Sequence, residues 1–115
     1  MEKKKLEANL AQLMDDISEI EGLIALDNKG KVIVGQTLTE MDLDAIAKAA
    51  LEAYTSAKNM GSTIQKGGVS TITLNLDNGS SCIVGNDKVV IASMQGNDAS
   101  TSIALILRYL KSFIE

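Results

Sequence analysis

The sequence predicts an α+β fold of the broad α/β class: a single-domain five-stranded antiparallel sheet with helices on both faces, in the order α-β-β-α-β-β-β-α. Three observations carry that prediction. Three segments repeat their apolar residues at helical spacing. Five short runs are apolar throughout or alternate at strand spacing, and turns rich in Asn, Asp and Gly separate them. At 115 residues the chain suits one domain spanning residues 1–115, large enough to bury a core.

Leu6, Leu10, Leu13, Ile17 and Ile20 fall on one stripe, predicting a helix from about Glu2 to Glu21 that stops at Gly22. Its charges oppose the helix dipole. Lys3, Lys4 and Lys5 stand at the positive end, and Asp15, Asp16, Glu19 and Glu21 at the negative end. A solvated face laced with i,i+4 pairs accounts for this, as does a docking surface for a partner.

Two strands follow, Leu23–Leu26 and Val32–Val34, joined by Asp27-Asn28-Lys29-Gly30. Unbroken apolar runs this short imply strands covered on both faces. A second helix is expected from Glu40 to Met60, with Thr39 as N-cap, Asp42 completing an imperfect capping box, and Lys58 and Gly61 marking the end. Leu43, Ile46, Ala47, Ala50, Leu51 and Tyr54 form its core stripe. Beside it runs Ala45, Ala49, Ala53, Ala57, which would let another helix approach closely; alanine is also simply the best helix former.

After a Gly-rich connector, Gly61–Gly68, a meander is expected of Val69–Leu76, Ser80–Val84 and Lys88–Met94. Its turns are Asp77-Asn78-Gly79 and Gly85-Asn86-Asp87. The run Val89-Val90-Ile91-Ala92 reads as a central strand. A last helix opens at Asn97 or Asp98 and runs to about Phe113, burying Ile103, Ile106, Leu107, Leu110, Phe113 and Ile114.

Composition narrows the chemistry. A net charge of −4 and only three aromatics, Tyr54, Tyr109 and Phe113, argue against nucleic-acid binding. With no His and one Cys, the chain alone offers neither a standard zinc site nor an imidazole-based triad. The lone Cys82 reads as a small core residue and fits a reducing compartment. The opening MEKKKLEANL is unlike a signal peptide, and no apolar window of roughly 20 residues is present, so a cytoplasmic protein without membrane insertion is expected. No phosphate-binding loop occurs; Lys66-Gly67-Gly68 is a connector, and Arg108 lies opposite the buried stripe of its helix. The pairs Asp42/Asp44 and Asp15/Asp16 lack the spacing of a general acid and base. No catalytic residue, cofactor site or metal site is expected.

The run Val69–Leu76 is the anomaly. Ser70, Ile72, Leu74 and Leu76 share one face; Thr71, Thr73 and Asn75 share the other. The alternation suggests an edge strand, yet it holds no Lys, Glu or Pro to blunt an open ladder. Pairing with the same strand of a second copy explains this; a covered strand in a monomer is the alternative.

The run Gly22–Val34, with its Gly, apolar strand, Asp, turn Gly and second apolar strand, resembles the first hairpin of roadblock-type (dynein light chain roadblock) domains. The run from Asp77-Asn78-Gly79 through Gly85-Asn86-Asp87 to Ile91 resembles that family's closing strands, and the element order matches a roadblock/profilin-like topology. At the entry to the last helix, Asn97-Asp98-Ala99-Ser100-Thr101-Ser102 stands where many bacterial members have Asn-Leu-Gly. The resemblance implies a homo- or heterodimer whose third strands pair into one continuous sheet while the second helices pack side by side. That would place Thr71, Thr73 and Asn75 at the seam and Ala49, Ala53 and Ala57 near the helix contact. It also implies a non-enzymatic regulator or scaffold for a Ras-like small GTPase, possible stimulation of hydrolysis being indirect. Asp42, Lys48 and Glu52 on the second helix would meet that partner. The alternatives are a profilin/PAS-like small-molecule sensor and a purely structural subunit of a larger assembly.

Overall fold

The computed structural model of the chain describes residues 3–99 and 102–115. Leu6, Leu10 and Leu13 become the buried side of helix α1 (Lys3–Asp16). The first apolar runs become strands β1 (Ile20–Asp27) and β2 (Val32–Thr37), followed by helix α2 (Leu43–Thr63). The meander is β3 (Ile72–Leu76), β4 (Gly79–Gly85) and β5 (Val89–Gln95). A short 3-10 turn (Asn97–Ala99) leads to helix α3 (Ile103–Ile114).

The strands form one five-stranded antiparallel sheet in the order β2-β1-β5-β4-β3. β5 is central, as its unbroken apolar run predicts, and β1 crosses over to pair with it. The sheet divides two cores. On one face Leu6, Leu10 and Leu13 of α1 and Ile106 and Leu110 of α3 meet Leu23, Ala25, Val84 and Ile91. On the other, Ala47, Ala50 and Tyr54 of α2 meet Ile24, Leu26, Ile83 and Val90. Helices therefore cover both faces, two on one side and one on the other.

Several boundaries move, each for a physical reason. α1 stops at Asp16 rather than Glu21, because Ile20 enters the ladder opposite Gln95. Ile17 and Ile20 are buried all the same, so helical spacing alone could not reveal the change of direction. Gly22 is not a helix stop; it sits inside β1, opposite Thr37 and Met94. The N-cap of α2 is Asp42 rather than Thr39, its carboxylate accepting from the Ala45 N–H at 3.1 Å. α2 also runs on through Gly61 to Thr63, and Gln65, at φ 59°, takes the left-handed position beyond it. Gly61 is a packing requirement: a Cβ there would collide with the Gly67 carbonyl of the returning chain.

β3 begins at Ile72, so Val69, Ser70 and Thr71 precede the strand, and α3 begins at Ile103 after the 3-10 turn. Glu2, where the first helix was expected to open, and Ser100 and Thr101, in the entry to the last, lie outside the described residues.

Two polar residues, Ser93 and Gln95, are buried in β5. Ser93 Oγ donates to Gln95 Oε1 at 2.8 Å, and Gln95 Nε2 donates to Ser80 Oγ at 3.0 Å and to Cys82 Sγ at 3.3 Å. Among the described residues no buried side-chain nitrogen or oxygen lacks a partner, as the cost of orphaned polar groups demands.

Candidate interaction surface

The sheet has two edges, and they differ. On β2, Ala25 pairs with Val34 and Leu26 with Val32, leaving Ile33 as an extra residue in a bulge, one of the devices that blunt an edge. β3 pairs with β4 from Ile72 opposite Ile83 to Leu76 opposite Gly79 without a shift. Its outer side has neither bulge nor charge.

The direction of the free backbone groups follows from register. The Asn86 N–H donates to Val89 O at 2.9 Å, closing the β4–β5 turn. Antiparallel strands alternate the side to which they bond, so Ser80, Cys82 and Val84 bond toward β5 and Gly79, Ser81 and Ile83 toward β3. The Cys82 N–H accordingly reaches Ser93 Oγ on β5 at 3.3 Å. The partners of the second set are Leu76, Leu74 and Ile72. The N–H and C=O groups of Thr73 and Asn75 therefore aim away from the chain, into open space.

Side chains sort onto two faces. Thr73, opposite Cys82, and Asn75 lie on the α1/α3 face, where they border a cavity of about 410 Å³ with Ser80 and Ile103. Leu74, opposite Ser81, lies on the α2 face. There it lines an apolar groove of about 170 Å³ with Ala49, Ala53, Ile83, Ala92 and Met94. One helix cannot cover a five-stranded face, and this groove is what α2 leaves open along β3 and β4. Leu74 is 38% exposed and Leu76 60%.

Thr73 and Asn75 thus sit in β3 and are exposed, whereas Thr71 is exposed just ahead of the strand. Ala49 is exposed and Ala53 and Ala57 are half-buried; Ala49 and Ala53 line the groove. Asp42, Lys48 and Glu52 are exposed along α2, with Asp42 also serving as the cap. Leu74 and Leu76 are additions to the candidate surface. Their alternation with Thr73 and Asn75 was visible, but it reads as a core face until the strand is known to lie beyond the reach of α2. Met60 and Ile64, 64% and 52% exposed at the end of α2, were likewise hidden by placing the helix end near Met60.

Electrostatics fit a recognition surface better than a reaction centre. Burial pushes the Cys82 thiol above its ordinary range, partly countered by hydrogen bonding with Gln95, Ser93 and Thr73, so it is a protected core group. Glu19 is held below the usual carboxylate range by a backbone hydrogen bond and by Ser102, whose Oγ donates to Glu19 Oε1 at 3.1 Å. Arg108 is exposed on α3. Among the described residues no cluster of His, Cys, Asp and Glu could hold a metal ion, and no helix is long and apolar enough to cross a membrane.

Comparison with known proteins agrees with this architecture. Myxococcus xanthus MglB superposes with a TM-score of 0.82 at 15% identity, covering 99% of this chain and 93% of that one. The gliding protein MglB of Thermus thermophilus gives 0.81 at 8% identity, over 96% and 89%. A Roadblock/LC7 domain from Streptomyces avermitilis gives 0.74 at 16% identity, over 93% and 95%. At these identities the likeness is one of fold. No curated protein sequence matches the chain. The Roadblock/LC7 domain model, by contrast, matches residues 6–92, and on that match the chain belongs to the Roadblock/LC7 domain family.

Proposed function

We propose that the protein is a non-enzymatic, homodimeric regulator or scaffold that binds a Ras-like small GTPase in the cytoplasm. The observation that carries the reading is the bare β3 edge. Thr73 and Asn75 offer unpartnered amides and carbonyls directly beside an apolar groove. A second copy related by a two-fold axis normal to the sheet would supply the missing ladder and join two five-stranded sheets into ten strands. The same operation lays the two α2 helices on one face, where Ala49 and Ala53 permit close approach and Leu74 becomes covered. That helix pair would form the platform, with Asp42, Lys48 and Glu52 directed to the partner. The GTPase itself is inferred from the family resemblance. Any effect on hydrolysis would work by ordering the partner's own residues, since the single arginine of the chain, Arg108, lies in α3 and not on a loop of this surface.

The test is to mix the protein with its cognate small GTPase loaded with a GTP analogue, measuring complex size by light scattering, and to follow hydrolysis with GTP. A complex with two copies of this chain supports the reading. A monomer that neither binds the GTPase nor changes its hydrolysis rate overturns it.

A further inference from the structure

The charges of this chain are sorted by the two ends of the sheet. Asn28 Nδ2 donates to Asp87 O at 3.2 Å and Asn86 Nδ2 to Ile114 O at 3.1 Å, so the β1–β2 turn, the β4–β5 turn and the end of α3 share one pole. The start of α1 and the end of α2 lie at that pole too. It collects Lys3, Lys4 and Lys5 from α1, and Lys29, Lys31 and Lys88 from the turns. Lys58 and Lys66 from the end of α2 and Lys111 from the last turn of α3 complete it. Of the 11 basic residues only Lys48 and Arg108, away from that end in α2 and α3, lie elsewhere.

The opposite pole holds the ends of α1 and β5 and the starts of α2 and α3. It gathers Asp15, Asp16 and Glu19, then Glu40, Asp42 and Asp44, then Asp77 and Asp98. Asp27, Asp87, Glu7 and Glu115 are acids at the basic pole, and Asp27 is engaged there by the amides of Lys29 and Lys31.

Helix dipoles do not explain the sorting. α2 and α3 point their N-termini to the acidic pole, so dipole and pole make the same demand on them. α1 runs the other way, and its charges obey the pole against its own dipole. With a longest dimension of 38 Å and a Debye length of about 8 Å at physiological salt, one pole does not screen the other.

We infer that this polarity fixes the orientation and register of the copy that pairs with β3, through Asp77 of one protomer and Lys111 of the other. The inference rests on the edge pairing proposed above. Antiparallel pairing of two β3 strands sets the basic pole of each copy beside the acidic pole of its twin. Thr73 and Asn75 carry the outward backbone groups, so the symmetric register that pairs them places Leu74 against its counterpart and Asp77 opposite Thr71 of the twin. Lys111 already stands at that spot, its Nζ donating to Ser70 Oγ at 2.7 Å. Asp77 is exposed in the turn that directly follows β3, so its carboxylate is free to reach across the seam to Lys111. Parallel pairing would set like poles together, and a slipped antiparallel register would move Asp77 away from Lys111.

Charge exchange tests this by sedimentation at low and high salt, with far-UV circular dichroism as the folding check. Lys111→Glu and Asp77→Lys should each weaken self-association at least tenfold. Mixing the two variants should restore dimers, because both seam pairs are then opposite in sign. Dimers of unchanged affinity in both single variants would overturn the charge pairing while leaving the edge reading intact. Leu74→Lys separates the two ideas: if it stays as dimeric as the wild type, or if the wild type is a monomer, the edge reading itself fails, and this inference with it.

Discussion

Thr73 stands opposite Cys82 in the β3–β4 ladder, the first exposed and the second fully buried. One position thus borders the buried Cys82 within the ladder and offers its backbone to whatever lies beyond the edge. Because the Thr73 N–H takes no part in the intrachain ladder, Thr73→Pro removes a donor that the protomer does not use, which is where an edge strand tolerates proline. The variant should keep its circular dichroism spectrum and thermal transition. Its dimer should weaken at least tenfold, about 1.4 kcal/mol, with two seam bonds lost by symmetry. Sedimentation equilibrium decides; wild-type affinity in the proline variant would argue that the seam lies elsewhere.

Asp42 combines two roles that substitution can separate. Its carboxylate accepts from the Ala45 N–H at 3.1 Å and caps α2, while its exposed charge faces the proposed partner. Asp42→Ala should cost about 1 kcal/mol of stability through loss of the cap. Asp42→Asn retains a capping oxygen and should be nearly neutral in thermal melts. A partner surface that reads the charge would be weakened by both variants; one that needs only an ordered helix start would be weakened by alanine alone. Calorimetry paired with GTPase titration distinguishes them.

These two residues also show what the sequence made legible. Apolar runs and their turns located β1, β2, β4 and β5 within a few residues, because each is bounded by Asp, Asn or Gly. The first helix was extended too far because Ile17 and Ile20 are buried whether the chain coils or turns into a strand. The cap of α2 was expected at Thr39, a residue type as suited to the role as Asp42, which fills it. Gly61 looked like a stop although its small size serves contact with Gly67. For the site, the lack of guarding residues in β3 was readable from one dimension. The sorting of charge was not, since Lys5, Lys31, Lys66 and Lys111 come together only once the direction of every element is known.

Asp27 should make the first hairpin acid-sensitive. Its Oδ1 accepts from the Lys29 N–H at 2.9 Å and the Lys31 N–H at 3.0 Å, and these bonds hold its pKa below the ordinary 3.8. A carboxylate with a depressed folded pKa contributes its stability above the unfolded value and loses it as pH falls through the folded one. The expected signature is a carboxyl chemical shift for Asp27 that titrates below 3.8, with the Lys29 and Lys31 amide shifts following it. In Asp27→Asn those amide shifts should stay flat across the same acid range. An Asp27 that titrates at or above its ordinary value would mean the turn is not organised around this carboxylate in solution.

Cys82 offers a readout of the edge itself. The thiol is buried, its pKa is pushed upward by that burial, and Gln95 Nε2 donates to its sulfur at 3.3 Å. Only thiolate reacts with disulfide reagents, so in the native state at about pH 8 labelling must wait for an opening that exposes the sulfur. Two openings could do so, global unfolding or local fraying of β3, which covers Cys82 through Thr73. They respond differently to protein concentration. If β3 of a second copy holds the edge in place, raising the concentration through the dimer dissociation range should slow labelling, and Thr73→Pro should abolish that dependence. If labelling instead keeps one rate at all concentrations and matches the unfolding rate extrapolated from denaturant, Cys82 is protected by the protomer fold alone and β3 gains nothing from a twin.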